Sequence, residues 1–307
     1  MNKEFISNFM NHQEFPVDSI KEFTRVMDII DGNEYFKGYF DSVLDSFWAD
    51  GEYWTGNFQR MSDILSPKCG IHTYTLQMMF LLAATPELWE RYKKEGIEEQ
   101  IFWDSMLDLR AKLIECYNCK HIWGTFVTGW FGRFYEMTRF ALGRFQFEEN
   151  TFDRDGVGDY SKNGYTLKKG EVCYGFHIPS HPVPLTDEVR MASYKKAYEF
   201  YKTRRGDNTP IFFNCSSWLL FKPYAEALPE KSNIRKFQSD FDIRTISYGD
   251  DFGDAWRVYD DKAELPVEDW PEDTSMRKSL KKYFLEGGRP GSGWGMIVFD
   301  GENIVNK

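Results

Sequence analysis

At Gly143 the hydrophobic spacing of this chain changes, and that change limits its fold more than any other feature. Upstream, apolar residues recur three and four apart: Ile20, Phe23, Val26, Met27 and Ile30, then Phe36, Phe40, Val43, Leu44 and Phe47. Such spacing lays an apolar stripe along a helix. Gly32-Asn33 separates the two helices. Leu76 to Ala84 is an apolar helical run, and Thr85-Pro86-Glu87 reads as a fresh helix start, with Thr as cap and Pro in the first turn. Ile97 to Tyr117 and Trp130 to Leu142 continue the pattern, the latter with Phe131, Phe134, Tyr135 and Thr138 on one stripe. Downstream, Gly143-Arg-Phe-Gln-Phe-Glu148 alternates apolar and polar, the period of a half-buried strand. Two periods imply an α+β protein: a helical domain over 1–141, then a mixed-sheet domain over 142–307.

The back half carries its own punctuation. Asp153 to Asn163, rich in Gly and Asp, reads as a loop. Glu171 to Ile178 is a second strand, broken by Pro179. Thr186 caps a helix to Tyr201 that opens on Asp187-Glu188. Pro210 to Cys215 is a third strand, and Pro223 to Phe237 a helix interrupted at Pro229. Phe241 to Tyr248 and Ala255 to Tyr259 suggest a hairpin around Gly249-Asp250-Asp251. Ser275 to Leu285 is a helix closed by Gly287-Gly288, and Trp294 to Phe299 a last strand.

Charge narrows the partners. With 48 acids against 38 bases the net charge is −10, which argues against nucleic acid, whose binding draws on Lys and Arg. The acid-rich stretch from Asp250 to Asp273 is either a draw for a cationic acceptor or a solvated loop. No apolar run approaches the roughly 20 residues that span a bilayer, and Met1 to Phe15 lacks the basic-then-apolar signal pattern. Five scattered cysteines fit reduced thiols, so a cytoplasmic protein is expected.

Several short motifs follow one another in the back half: Leu142-Gly-Arg-Phe-Gln-Phe-Glu148, Phe176-His-Ile-Pro179, Cys215-Ser-Ser-Trp-Leu-Leu220, Leu228-Pro229, Ser232-Asn-Ile234 and Phe237-Gln238. As an ordered set they resemble a bacterial family of acyltransferases. Its members pair a helical N-terminal acyltransferase-associated domain with a C-terminal domain like the GCN5-related N-acetyltransferases (GNAT). The resemblance implies a GNAT-like mixed sheet. It implies acyl-CoA as co-substrate, and an amine of a small molecule or peptide as acceptor. It also places the site at a splay between the second and third strands named above. The customary Gly-rich phosphate turn is replaced here by Pro179-Ser-His-Pro-Val-Pro-Leu-Thr186, whose prolines remove backbone donors.

An N-acyl transfer of this kind needs a base, an oxyanion donor and an acid for the thiolate. His177 is the first candidate base, because it leaves the stripe of Val172, Tyr174, Phe176 and Ile178. A histidine bonded to a loop at a strand end is the alternative. Arg144, Gln146 and Glu148 share a face of the first strand; they are site residues, Glu148 as base or amine anchor, or else a solvated edge. Cys215 and Ser217 alternate onto one face where the third strand ends. Ser217 there is a donor or a cap, and Cys215 a nucleophile beside His177 or a buried thiol. Tyr224 stands where the resemblance implies the thiolate-protonating tyrosine. The pantetheine arm is expected near Ile178 and Ser180, and the phosphates on Arg190 or Lys195. Trp218 and Phe145 are expected to wall the cleft, Trp218 touching substrate.

Three patterns suggest metal. Cys69-x-x-His72 and Cys116-x-x-Cys119 (with His121) lie on separate helical stretches, and convergence is not expected. His177-x-x-x-His181 has helical metal spacing, but Pro179 and Pro182 oppose a helix. No metal is therefore expected. Beside the acyltransferase stand two other readings: a non-catalytic ligand-binding protein on a degenerate GNAT-like scaffold with an aromatic-lined cleft, and a zinc-stapled interaction protein.

Overall fold

The computed structural model describes residues 1–49, 53–154, 156–180 and 182–307. It divides into two compact units, Met1–Phe140 and Ala141–Lys307. The first contains helices α1 (Lys3–His12), α2 (Val17–Asp31), α3 (Glu34–Ala49), α4 (Gly56–Cys69), α5 (Thr73–Lys94) and α6 (Glu99–Lys120), then a short α7 (Gly132–Tyr135). Helix α5 is its axis: Met78, Met79, Phe80, Leu81 and Leu82 are wholly buried. No helix among the described residues is long and apolar enough to cross a membrane.

Two expectations for this unit are corrected. Helix α5 does not restart at Thr85; it runs through Pro86. Pro86 has no N–H for the carbonyl of Leu82 one turn back, and the Thr85 hydroxyl donates to that oxygen instead, at 2.6 Å. The stretch from Trp130 to Leu142 is not one helix. A 3-10 turn (Thr128–Phe131) and α7 are stopped where Met137 takes φ +54, and Arg139–Leu142 becomes strand β1.

Sheet structure therefore starts before Gly143. The strands are β1, β2 (Phe145–Thr151), β3 (Tyr160–Lys162), β4 (Tyr165–Leu167), β5 (Val172–His177), β6 (Ile211–Ser217), β7 (Asp242–Tyr248) and β8 (Gly291–Phe299). Between them lie α8 (Asp187–Arg205), α9 (Lys222–Ala227), α10 (Asn233–Gln238), α11 (Trp256–Tyr259) and α12 (Ser275–Leu285). The main sheet has the order β1-β2-β5-β6-β8-β7. Its β2–β5, β6–β8 and β7–β8 pairs are antiparallel and β5–β6 is parallel. The presumed loop after Asp153 instead holds the separate β3–β4 hairpin, turned at Asn163 and Gly164, both at positive φ. The hairpin expected around Gly249 is absent: β7 pairs with β8, and Trp256–Tyr259 is helical.

Alternation sends neighbouring residues of each strand to opposite faces. One face carries Phe145, Phe147, Tyr174, Phe176 and Phe213 against α8 and α10. Phe145 stacks on Tyr194 with centroids 5.5 Å apart, and Phe176 meets Phe237 at 6.1 Å. On the other face Cys173, Trp294, Met296 and Val298 pack with Phe152 and the hairpin's Tyr160 and Leu167. Gly143 turns the chain from β1 into β2 at φ +79, where a Cβ would also stand 3.2 Å from Ser193 of α8. The Ser193 hydroxyl donates to Leu142 O at 2.6 Å and accepts from Phe145 N at 3.1 Å.

Candidate active site

The parallel pair β5–β6 is short. Its register covers Tyr174↔Phe213 and Gly175↔Asn214, although β5 runs on to His177 and β6 to Ser217. Among the described residues the β5–β6 register ends at the Gly175↔Asn214 pair.

At this end β2 brings a row of polar side chains to the face opposite α8. Antiparallel pairing sets Gln146 against His177, Glu148 against Gly175 and Asn150 against Cys173. Residues paired in this way share a face with Cβ atoms about 5 Å apart. Glu148 Oε2 lies 3.4 Å from His177 Nε2, with the side chains 12% and 30% exposed. The Asn150 amide donates to Glu148 Oε1 at 3.2 Å, and that of Asn214 to Cys173 Sγ at 3.2 Å. Gly175 makes room for the group: a Cβ there would stand 2.5 Å from Asn150 Nδ2. Asn150, Gly175 and Asn214 were not singled out from sequence. Polar residues at alternate positions of buried strands were the available signal.

The same register separates residues that looked like partners. Phe213 pairs with Tyr174, so Cys215 and Ser217 point with them to the α8 face, away from Glu148 and His177. Cys215 is 3% exposed and burial pushes its thiol up to about 12, leaving no thiolate at neutral pH. The Ser217 oxygen accepts from Leu219 N at 3.1 Å and caps the turn that follows. Phe145 belongs to the helix-side core. Trp218 and Tyr224 lie in a further aromatic cluster with Phe221, Phe252, Tyr283 and Phe284. Burial raises the Tyr224 phenol above its ordinary value. The structure brings none of Cys215, Ser217, Trp218 and Tyr224 to the Glu148–His177 pair.

Residues 140–297, more than half of the chain, match the model of the GNAT-like C-terminal domain. The chain belongs to that family. Residues 4–137 match the N-acyltransferase N-terminal domain, so this GNAT-like protein is α+β, with a helical front half and a mixed-sheet back half. No curated protein matches it. A solved acyltransferase in complex with decanoyl-CoA and teicoplanin is 17% identical, covers 95% of this chain and 87% of its own, and has a TM-score of 0.71. An acyltransferase mutant in complex with octanoyl-CoA is 16% identical over 97% of this chain and 89% of its own, TM-score 0.72. An acyltransferase in complex with CoA and 10C-teicoplanin is 18% identical over 74% and 67%, TM-score 0.62. These likenesses show the fold.

Within the GNAT-like domain the loop after β5 is held from behind. Arg144 Nε donates to Val183 O and an Nη to Pro179 O, both at 2.9 Å, and burial lowers this guanidinium to about 10. Arg144 thus staples the loop. Arg190 is equally committed: its Nε reaches Asp240 at 2.6 Å, one Nη Leu185 O at 2.8 Å and the other Asp187 at 3.0 Å. Lys195 pairs with Glu302, beyond the Phe299 end of β8. Since Phe299 pairs with Ile211 at the start of β6, that is the opposite end of the sheet from the splay. Neither cation is placed for a phosphate there. Ile178 and Ser180 follow β5 directly, and His181 lies outside the described residues.

No group of three or more His, Cys, Asp and Glu among the described residues could hold a metal ion. Cys69 donates to Ser66 O, and His72 accepts from Tyr74 N to cap α5. Cys116 and Cys119 are buried on α6. Several acids between Asp250 and Asp273 are paired: Arg257 with Asp254, Lys262 with Asp261, Lys281 with Glu272, Arg277 with Asp260 and Asp273. Arg277 and Lys281 are mostly covered. The helical unit has a groove of about 620 Å³ beside Tyr35, Tyr39, Val43, Phe47 and Phe58; none of the sequence candidates lines it.

Proposed function

We propose that this protein is an N-acyltransferase that moves an acyl group from acyl-CoA to an amine of a small molecule or peptide. The observation that carries the reading is the Glu148–His177 pair at the mouth of the β5–β6 splay. Bound acyl-CoA supplies an activated thioester carbonyl and a thiol leaving group. The pantetheine arm would run along the end of β5, near Ile178 and Ser180, past the last β5–β6 register pair, since an extended amide chain can lie beside a strand. Backbone N–H groups at that end are suited to steady an oxyanion. As the amine nitrogen bonds to the thioester carbonyl and the C–S bond breaks, Glu148, held by Asn150, takes the amine proton, and that proton, passed on by the Glu148–His177 pair, ends on the departing thiolate of CoA. Solved relatives in complex with acyl-CoAs and teicoplanin support both substrate classes.

One observation favours a second reading, a non-catalytic ligand-binding protein on a degenerate GNAT-like scaffold. The loop after β5 turns the carbonyls of Pro179 and Val183 onto Arg144, and α8 opens with Asp187 and Glu188, so this loop offers a diphosphate little. Thermal unfolding with acetyl-, octanoyl- and decanoyl-CoA tests both. A rise in Tm with turnover of an amine is expected. A rise without turnover against any amine leaves acyl-CoA binding without the transfer, and no rise with any acyl-CoA sinks the acyltransferase and favours the second reading.

A further inference from the structure

Gln146 is 2% exposed, and its Oε1 has no hydrogen-bond partner among the described residues. It is paired across β2–β5 with His177, so its amide lies on the same face as the Glu148–His177 pair. A buried carbonyl oxygen left without a donor destabilises a folded protein, because its bonds to water are lost and not replaced. A leucine of similar size would remove that cost. The amide is therefore explained by something it accepts a hydrogen from when the site is filled.

We infer that Gln146 is the site's hydrogen-bond acceptor for a neutral N–H group of the reactants, an inference that rests on the acyl transfer proposed above. Its oxygen only accepts, so it selects a partner with an N–H and rejects an ester or ether oxygen at the same place. Two reactants bring such a group: the amide of the pantetheine arm and the acceptor amine. Gln146 does no proton transfer; it is a positioning residue beside the pair that does.

Gln146→Leu separates these roles. The variant alone should melt higher than the wild type, by about 2–4 °C, as removal of an unpaired buried polar atom implies. If Gln146 holds the pantetheine amide, the Tm rise with decanoyl-CoA should fall by more than half. If it holds the amine, that rise stays and KM for benzylamine or glycinamide, whichever the wild type acylates, should rise roughly 10-fold or more with kcat changed less. Gln146→Met, unbranched and a poor acceptor, serves should leucine not pack. A more stable variant with unchanged decanoyl-CoA response and unchanged KM overturns the inference and leaves the amide to a buried water. A wild type that neither responds to acyl-CoA nor acylates an amine fails the acyl-transfer reading first, and this inference with it.

Discussion

The two faces of β2, β5 and β6 are built from alternate residues of the same strands, yet they differ in kind. Toward α8 stand Phe145, Phe147, Tyr174, Phe176, Phe213 and Cys215, a run of rings and one neutral thiol. On the other side, at the parted end, stand Gln146, Glu148, Asn150, Gly175, His177 and Asn214. The close-packed α8 face holds the strands fixed, so these polar residues can keep their geometry while the core of their own face is left to the cluster of Cys173, Trp294 and Met296. Chemistry and stability are thus divided by strand parity, and single substitutions should affect one without the other.

The largest expected effect sets the faces directly against each other. Glu148→Gln should lower the acyl-transfer rate roughly a hundred- to ten-thousand-fold, the range for a lost general base, while leaving the unfolding midpoint nearly in place. Phe213→Ala should cost about 3–5 kcal/mol through the cavity it leaves, and any remaining folded protein should keep its rate per molecule. Rate and urea unfolding measured on both variants suffice. A Glu148→Gln protein as destabilised as Phe213→Ala would break the division.

A smaller effect is pH-dependent. The Cys215 thiol moves from 9.0 to about 12 on burial. A raised folded value means that the folded chain keeps a proton that the unfolded chain gives up. The stabilisation is complete below about pH 9 and is lost as pH rises through about 12. Cys116 and Cys173, at about 12 and about 11, act in the same sense. Cys215→Ala should therefore lose stability less steeply than the wild type between pH 9 and 11, read from thermal unfolding at each pH. An unchanged slope would place Cys215 in contact with solvent. The smallest effect is Lys195→Ala. Its ion pair with Glu302 is exposed, so stability should stay within about 0.5 kcal/mol and the response to decanoyl-CoA should not change. Loss of that response would return Lys195 to the site.

Much of this division was legible in the sequence. The period change, the Thr186 cap of α8 and the departure of His177 from its stripe are local signals, set by alternation and capping. What local pattern does not carry is which strands are neighbours. Cys215 and Ser217 looked like partners of His177 because they alternate onto one face where the neighbouring strand ends, but the register Tyr174↔Phe213 decides the face, and it depends on a contact across 39 positions. The false hairpin at Gly249 failed for the same reason, since β7 finds its partner in β8. Arg190 and Lys195 drew notice as cations, and only the fold reveals that Asp240 and Glu302 already hold them. Conversely, Asn163-Gly164 is a strong hairpin signal that the surrounding Gly and Asp residues obscured.

The Ser193 hydroxyl has a consequence for exchange with solvent. Phe145 N–H donates to a side chain of α8 rather than to a neighbouring strand. Its protection from deuterium therefore lasts only while α8 is docked. The Phe145 amide is a built-in clock for undocking of that helix, and its exchange rate compared with that of the β6–β8 ladder separates local opening from global unfolding.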